Sequence, residues 1–496
     1  MLVRRCSIML FLVAAACRGP AVTAARPGGN ATGSLAALRA SIDSMADAPQ
    51  FANAHWGILI VDPARGDTLY SRNAGKLFMP ASNMKILTSA SALARFGPDY
   101  RYATTFAARG RVSDGTLVGD LVVTGRGDPS VSDHMLGDAM IPLRAIADSI
   151  VARGVTHVTG RVVSGGDAFP GEVLGYGWSY DDFEDSYSAP IDELLFNEGF
   201  SVLHVRGGAR GGDPVTVDVT PARTVTRVRV NARTVGAAGD TAARRRALTA
   251  RARKDSVTWD VVLEGDVPAG DTTSIEVTHH DPGRAYVAAV AEALRAKGVT
   301  IDEAPADTLA PLETLAVLSS PPLGEILKAL MKPSQNQIAE MLFRTLALDA
   351  TGSGRPDSAS AVVQRQLAEW GVVPSEAVIR DGSGLSRYDY ISPRTVVRIL
   401  DAMHRSPNFR VYYDALPVAG VDGTIRNRMK GTPAEGNVHA KTGSVALSRS
   451  LSGYVTTANG RLLIFSLLSN NWTVPVRDVE RVQDAIGARL AALQLP

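Results

Sequence analysis

At 496 residues the chain is long enough for several domains, or for one domain carrying a large insertion. Its hydrophobic content of 45% and charged content of 21% are those of an ordinary globular protein. Fifty-two basic residues nearly balance 50 acidic ones and the arginines are dispersed, so a net charge of +2 gives no support to nucleic-acid binding.

The N-terminus has the pattern of an export signal, expected to end by about residue 25. Arg4-Arg5 precede an apolar run, Ser7 to Ala16, that is too short to span a bilayer. Two cleavage readings are open. Ala14-Ala15-Ala16-Cys17 is similar to a bacterial lipobox, with alanine where leucine is usual, and would place a lipid anchor on Cys17. Cleavage near Ala24-Ala25 would instead release a soluble protein. Cys17 has no other purpose, which favours the anchor, and that anchor would be the one attachment to a membrane. Cys6 lies within the signal, so neither cleavage leaves a pair of cysteines for an intramolecular disulfide. The expected location is the periplasm or cell envelope.

A small-residue linker over 27–34 leads to a predicted helix over 35–45 and a strand over 56–61. Asp62 to Asp67 turn the chain, and 68–70 return it as a hairpin partner. That hairpin delivers Pro80-Ala81-Ser82-Asn83-Met84-Lys85. Ile86, Ala90 and Leu93 then recur at helical spacing until Gly97-Pro98 stops the helix. Ser82 thus stands at a helix N-terminus, with Lys85 on the same face. A serine hydroxyl becomes a nucleophile once a base takes its proton, and a partly buried lysine of lowered pKa can be that base. The free N–H groups of the helix end suit a developing oxyanion. Alone, the pattern also fits a serine cap with a chance lysine.

After Pro98 short strands dominate: 102–108, 117–124, 161–164, 202–205, 215–219, 225–230, 257–263 and 274–277, with one helix over 141–153. Asp281-Pro282 opens a helix that runs to Lys297 and ends at Gly298. Two features here have bland readings. Arg244-Arg245-Arg246, Arg251, Arg253 and Lys254 fit a solvated loop or helix face. His279-His280 has no Cys or Glu at ligand spacing and reads as a surface pair, with no metal or other cofactor implied.

Helices resume over 323–331, 337–348 and 396–403. A hairpin joins 451–457 to 461–468 across Ala458-Asn459-Gly460. The last helix, 476–493, carries Val479, Val482, Ile486, Leu490 and Leu493 on one stripe that packs on the hairpin. Between the first two of these helices stands Pro333-Ser334-Gln335-Asn336, a hydroxyl and an amide on one turn, able to relay a proton and hold a peptide backbone. Val438-His439-Ala440-Lys441-Thr442-Gly443-Ser444 reads as a strand. Lysine and threonine at its edge can hold a carboxylate, and glycine permits close approach. Each motif by itself fits a plain structural role, a helix cap or a solvated edge.

Ser-x-x-Lys, Ser-x-Asn and Lys-Thr-Gly in this order are together the set of penicillin-binding proteins and serine β-lactamases. The long gap between Lys85 and Ser334 narrows the match. With Thr124 to Pro129, Tyr187 to Ile191, Asp381 to Arg387 and Val421 to Thr424, the chain from Trp56 to Asn470 resembles the D-alanyl-D-alanine carboxypeptidase/endopeptidases among low-molecular-mass class C penicillin-binding proteins. Ser444 stands where threonine is commoner, and Arg126 where glycine is.

The resemblance implies a β-lactamase/transpeptidase-like α/β domain, an antiparallel sheet with helices on both faces, built from 30–105 and 315–496. Inserted β-rich modules would occupy 106–314. It also implies action on peptidoglycan stem peptides, removing terminal D-Ala from D-Ala-D-Ala and cutting D-Ala–diaminopimelate cross-links, with β-lactam antibiotics as covalent inhibitors and no cofactor. Ser82 would be the nucleophile, Lys85 its base, helped by nearby Lys441, and Ser334, linked to both lysines, the proton relay. Asn336 would hold the peptide backbone, and Lys441 and Thr442 the terminal carboxylate. Gly443 would allow close approach, and the N–H groups of Ser82 and Ser444 would form the oxyanion hole. A serine β-lactamase or a catalytically dead wall-binding protein are the rivals. The insertion and the lack of a clear deacylating glutamate speak against the first, and the intact motif set against the second.

Overall fold

The computed structural model describes residues 34–236, 246–254, 259–304 and 310–496. The expected export signal with Cys6 and Cys17, nearly all of the linker, Arg244-Arg245 and Val257 lie outside the described residues.

One antiparallel five-stranded sheet takes its strands from early and late in the chain. Their order is His439–Val445, Ser448–Thr456, Leu462–Asn470, His55–Asp62, Asp67–Arg72. Strand alternation splits the side chains between two cores. Ile58, Ile60, Leu463, Phe465 and Leu467 pack with the helices Leu35–Ala46 and Val476–Ala492. Leu59, Ile464 and Leu468 pack with the helices Met84–Phe96, Asn336–Thr351 and Pro393–His404. With both faces covered, the central strands read as nearly unbroken apolar runs. The terminal helix lies on the hairpin as its stripe predicts, with Val479, Val482, Ile486 and Leu490 in the second core.

Residues 103–319 build further sheets. The largest has the order Thr300–Ile301, His157–Val158, Thr116–Thr124, Ala103–Ser113, Leu312–Ser319, with Val162–Ser164 also paired to Thr116–Thr124. The helices Met140–Ala152 and Pro282–Ala296 share its core through Leu143, Ile146, Ile150, Tyr286, Val290 and Leu294. Ala103–Ser113 and Leu312–Ser319 pair antiparallel, so the chain departs and returns side by side. The expected limits at 106 and 314 fall inside these strands. Two smaller three-stranded sheets enclose a core of Leu203, Val205, Val261, Leu263 and Val277.

Two expectations fail in this region. Within the basic run Arg246 is an exposed loop residue as expected, but the rest of its described part is strand rather than loop or helix. Arg251, Arg253 and Lys254 project from the edge strand Thr249–Lys254, where exposed charge discourages pairing with another chain. His279 and His280 are not on the surface. His279 is buried with Nε2 2.8 Å from Ser201 Oγ, and the His280 ring stacks on Phe183 and packs against Trp259. They close the junction between sheets. Among the described residues no group of three or more His, Cys, Asp or Glu could hold a metal ion, and no helix is long and apolar enough to cross a membrane.

Candidate active site

Three separate stretches of sequence meet at the Lys441 edge of the five-stranded sheet. Ser82 lies in a 3-10 turn, Ala81–Asn83, that runs directly into the helix Met84–Phe96. Ala81 is held at φ +48°, a left-handed conformation that costs energy in any residue but glycine. Its surroundings enforce it. Asn83 Nδ2 donates to the Lys441 carbonyl at 2.9 Å, and Ser450 Oγ donates to the Pro80 carbonyl at 2.7 Å. Gly443 lies against the same turn. A Cβ there would fall 2.5 Å from the Pro80 oxygen and 3.0 Å from the Ser82 nitrogen, so only glycine lets the strand approach.

Lys85 is fully buried, and its amine meets three oxygens: Ser82 Oγ at 2.9 Å, Asn336 Oδ1 at 2.6 Å and the Ser383 carbonyl at 2.7 Å. Asn336 Nδ2 donates to the Tyr187 carbonyl at 2.8 Å, which fixes which end of the amide faces Lys85. The Asn336 and Ser383 oxygens can only accept. They therefore consume both N–H groups of a neutral amine and aim its lone pair at the Ser82 hydroxyl. Burial pushes the Lys85 pKa down to about 7, against the opposing pull of Asp381, Glu340 and Asp389. Burial, rather than the expected repulsion by Lys441, is the main cause.

Lys441 is also fully buried and donates to Ser334 Oγ at 2.8 Å and to the Thr442 carbonyl at 3.0 Å. Burial, and then the charge of Lys85, hold it well below the ordinary lysine range. Ser334 sits at φ +72°, the second strained residue of the site. It joins Lys441, whereas the expected link from Lys85 goes to Asn336 instead. Thr442 is half-buried and donates to Thr424 Oγ1 at 2.8 Å, and Ser444 follows Gly443 as an exposed residue. All eight residues singled out from the sequence therefore lie on these three converging segments. The hydroxyl, the neutral amine aimed at it and a second lysine–hydroxyl pair can together carry out nucleophilic attack and proton relay.

Sequence reasoning missed the shell behind them. Glu340, one turn along the helix from Asn336, accepts from the Gly382 and Ser383 N–H groups, holding the carbonyl that touches Lys85. Burial and Asp381 push its carboxyl up to about 8. Asp381 accepts from the Gly384 and Ser386 N–H groups and from Trp178 Nε1. Asp381 to Arg387 and Tyr187 stood out in the sequence as stretches without a role. No side-chain pattern predicts that a backbone carbonyl from each would orient the motif residues.

Over residues 38–493 the chain matches the family model described as the D-Ala-D-Ala carboxypeptidase 3 (S13) family. It is 35% identical to the D-alanyl-D-alanine carboxypeptidase of Actinomadura sp. (strain R39), across 92% of this chain and 85% of that one. It is 26% identical to the D-alanyl-D-alanine carboxypeptidase DacB of Haemophilus influenzae, across 81% and 82%. The crystal structure of penicillin binding protein 4 (dacB) from Haemophilus influenzae superposes with a TM-score of 0.76 at 22% identity, covering 91% of this chain and 99% of that one. That likeness carries the fold: an α/β transpeptidase-like sheet with inserted β-rich sheets.

Proposed function

The chain belongs to the D-Ala-D-Ala carboxypeptidase 3 (S13) family, and from that membership we propose how its site performs the reaction. The protein is a serine-type D-Ala-D-Ala carboxypeptidase, a penicillin-binding hydrolase of peptidoglycan. Neutral Lys85 takes the Ser82 proton as Oγ attacks the carbonyl carbon of the penultimate D-Ala. The N–H groups of Ser82 and Ser444 take the oxyanion. Ser334 then gives a proton to the leaving D-Ala amine, drawing on Lys441, and the peptide C–N bond breaks. Water releases the acyl group from Ser82. Thr442 and Lys441 receive the terminal carboxylate, which favours the charged form of Lys441 and so helps to keep Lys85 neutral. Asn336 holds the substrate backbone with the second Nδ2 hydrogen, the first being used by Tyr187.

The same machinery would cut D-Ala–diaminopimelate cross-links, whose scissile carbonyl also belongs to D-Ala. An N-terminal signal would export the chain to the cell envelope, with Cys17 as a lipid anchor. The observation that carries the catalytic assignment is the buried Lys85 amine, 2.9 Å from Ser82 Oγ and flanked by two oxygens that can only accept. Penicillin tests it. The drug's mass should appear on the peptide containing Ser82 alone and leave slowly. Labelling of another residue would sink the assignment, and rapid turnover of the drug would mark a β-lactamase.

A further inference from the structure

A cleft of about 670 Å³ opens between the helix Pro282–Ala296, the strand Val162–Ser164 and the segment Thr224–Arg227. None of its lining residues takes part in the Ser82 site. Along one face of the helix, Arg284, Ala288, Ala291 and Arg295 recur at helical spacing and all line it. Two small side chains thus form a floor between two arginines, which stand about 16 Å apart along the helix axis. Arg161 projects from the facing wall. Arg295 pairs with Glu303 and Arg227 with Asp260, but neither Arg161 nor Arg284 has an ion pair among the described residues. Asp281 and Glu303 are the acidic groups of the lining, against four arginines.

The wall also holds the histidine pair. The His280 side chain is 2% exposed, and its nearest charged partner, Glu184 Oε2, is 3.8 Å away, beyond hydrogen-bonding distance. Burial lowers the pKa of both histidines, so the cleft draws its positive charge from guanidinium groups. An elongated, cationic cleft with a small-residue floor suits an extended chain carrying spaced carboxylates, not a single ion. Position agrees. The His280 ring stacks on Phe183 at 4.5 Å, and Tyr187, four residues on, accepts from catalytic-site Asn336. Four residues span at most about 14 Å, so one polymer can occupy the cleft and reach Ser82.

We propose that this cleft is a second, non-catalytic binding site for peptidoglycan, seating a stretch whose stem-peptide carboxylates meet Arg161 and Arg284. The ligand's identity rests on the substrate class assigned above. The test is co-sedimentation of the Ser82→Ala protein with insoluble peptidoglycan. Adding Arg161→Ala and Arg284→Ala should weaken sedimentation about tenfold, the sum of two exposed charge contacts. Ala288→Trp, which fills the floor without changing charge, should weaken it too. In the Ser82 background the two arginine changes should leave penicillin labelling and turnover of diacetyl-Lys-D-Ala-D-Ala within about twofold, because neither side chain touches that site. Undiminished sedimentation of both variants overturns the proposal, as does equal binding to glycan stripped of its peptides. If the unaltered protein fails to turn over the tripeptide, that failure falls on the Ser82 reading, since sedimentation needs no chemistry.

Discussion

Lys85 and Lys441 are alike in burial and motif setting but differ in what surrounds them. The Lys85 amine faces three oxygens that orient it for proton acceptance; Lys441 stands behind the Ser334 hydroxyl. The proposed base role requires a neutral Lys85, and its pKa lies near 7, so penicillin acylation should climb through about pH 7 and level off above it. A pH–rate profile flat from pH 5.5 to 9, in round terms, would remove Lys85 as the base. Lys85→Ala should slow acylation by about 10²–10⁴. Lys441→Arg keeps the charge, but guanidinium is larger, planar and does not release its proton. That variant should lose most carboxypeptidase turnover while melting within a few degrees of the parent, as measured by calorimetry beside a tripeptide assay. Near-normal turnover would take Lys441 out of the site.

At the scale of elements, the site is a contact between a 3-10 turn and the edge strand His439–Val445, and Gly443 sets their separation. Gly443→Ala should cut Ser82 acylation at least about tenfold and lower the melting temperature, since the new Cβ meets the Pro80 carbonyl and the Ser82 nitrogen, backbone atoms that cannot swing away. Unchanged labelling would mean that the strand yields at no cost. The strands and helices that form this contact were legible in the sequence because their signals are local: alternation, a 3.6-residue stripe, Gly-Pro and Asp-Pro boundaries. Other elements had no such signal. The edge strand Leu312–Ser319 leaves Leu312 and Val317 more than half exposed, and is held by its ladder to Ala103–Ser113. The helix Pro356–Glu369 buries only Ala359, Val362, Val363 and Leu367 among serines, glutamines and an arginine. The motif residues could be read because chemistry restricts their side chains. Ser383 and Tyr187 could not, because each contributes a carbonyl that every residue carries.

At the scale of the whole molecule, the region 103–319 is more than an appendage to the catalytic sheet. Its Glu198, held at φ +54° after Asn197 at φ +47°, accepts from Gln335 Nε2 at 2.6 Å, from Ser132 Oγ and from His134. Gln335 stands between Ser334 and Asn336 and caps the helix Asn336–Thr351 by accepting from the Ile338 N–H. Glu198→Ala should therefore loosen the strained Ser334 turn and reduce kcat about 10–100-fold through misplacement of the relay. Glu198→Gln, still able to accept from Gln335, should recover part of the loss. If the alanine variant keeps full kcat, the insertion does not position the second motif.

The five-stranded sheet also dictates an order of assembly. The strand His55–Asp62 has one neighbour close by in sequence, Asp67–Arg72, but its other, Leu462–Asn470, arrives far later, and the Ser82 turn is closed by Lys441 and Ser450 from nearly the far end of the chain. Contacts so distant in sequence form late and slowly, because a long loop must close before they gain anything. The inserted sheets, whose pairings lie within 103–319, can form while the catalytic sheet is still incomplete. The nascent chain thus carries Ser82, the proposed nucleophile, from the outset but has no complete site around it until its final strands arrive. Reactivity itself becomes the marker of a finished fold.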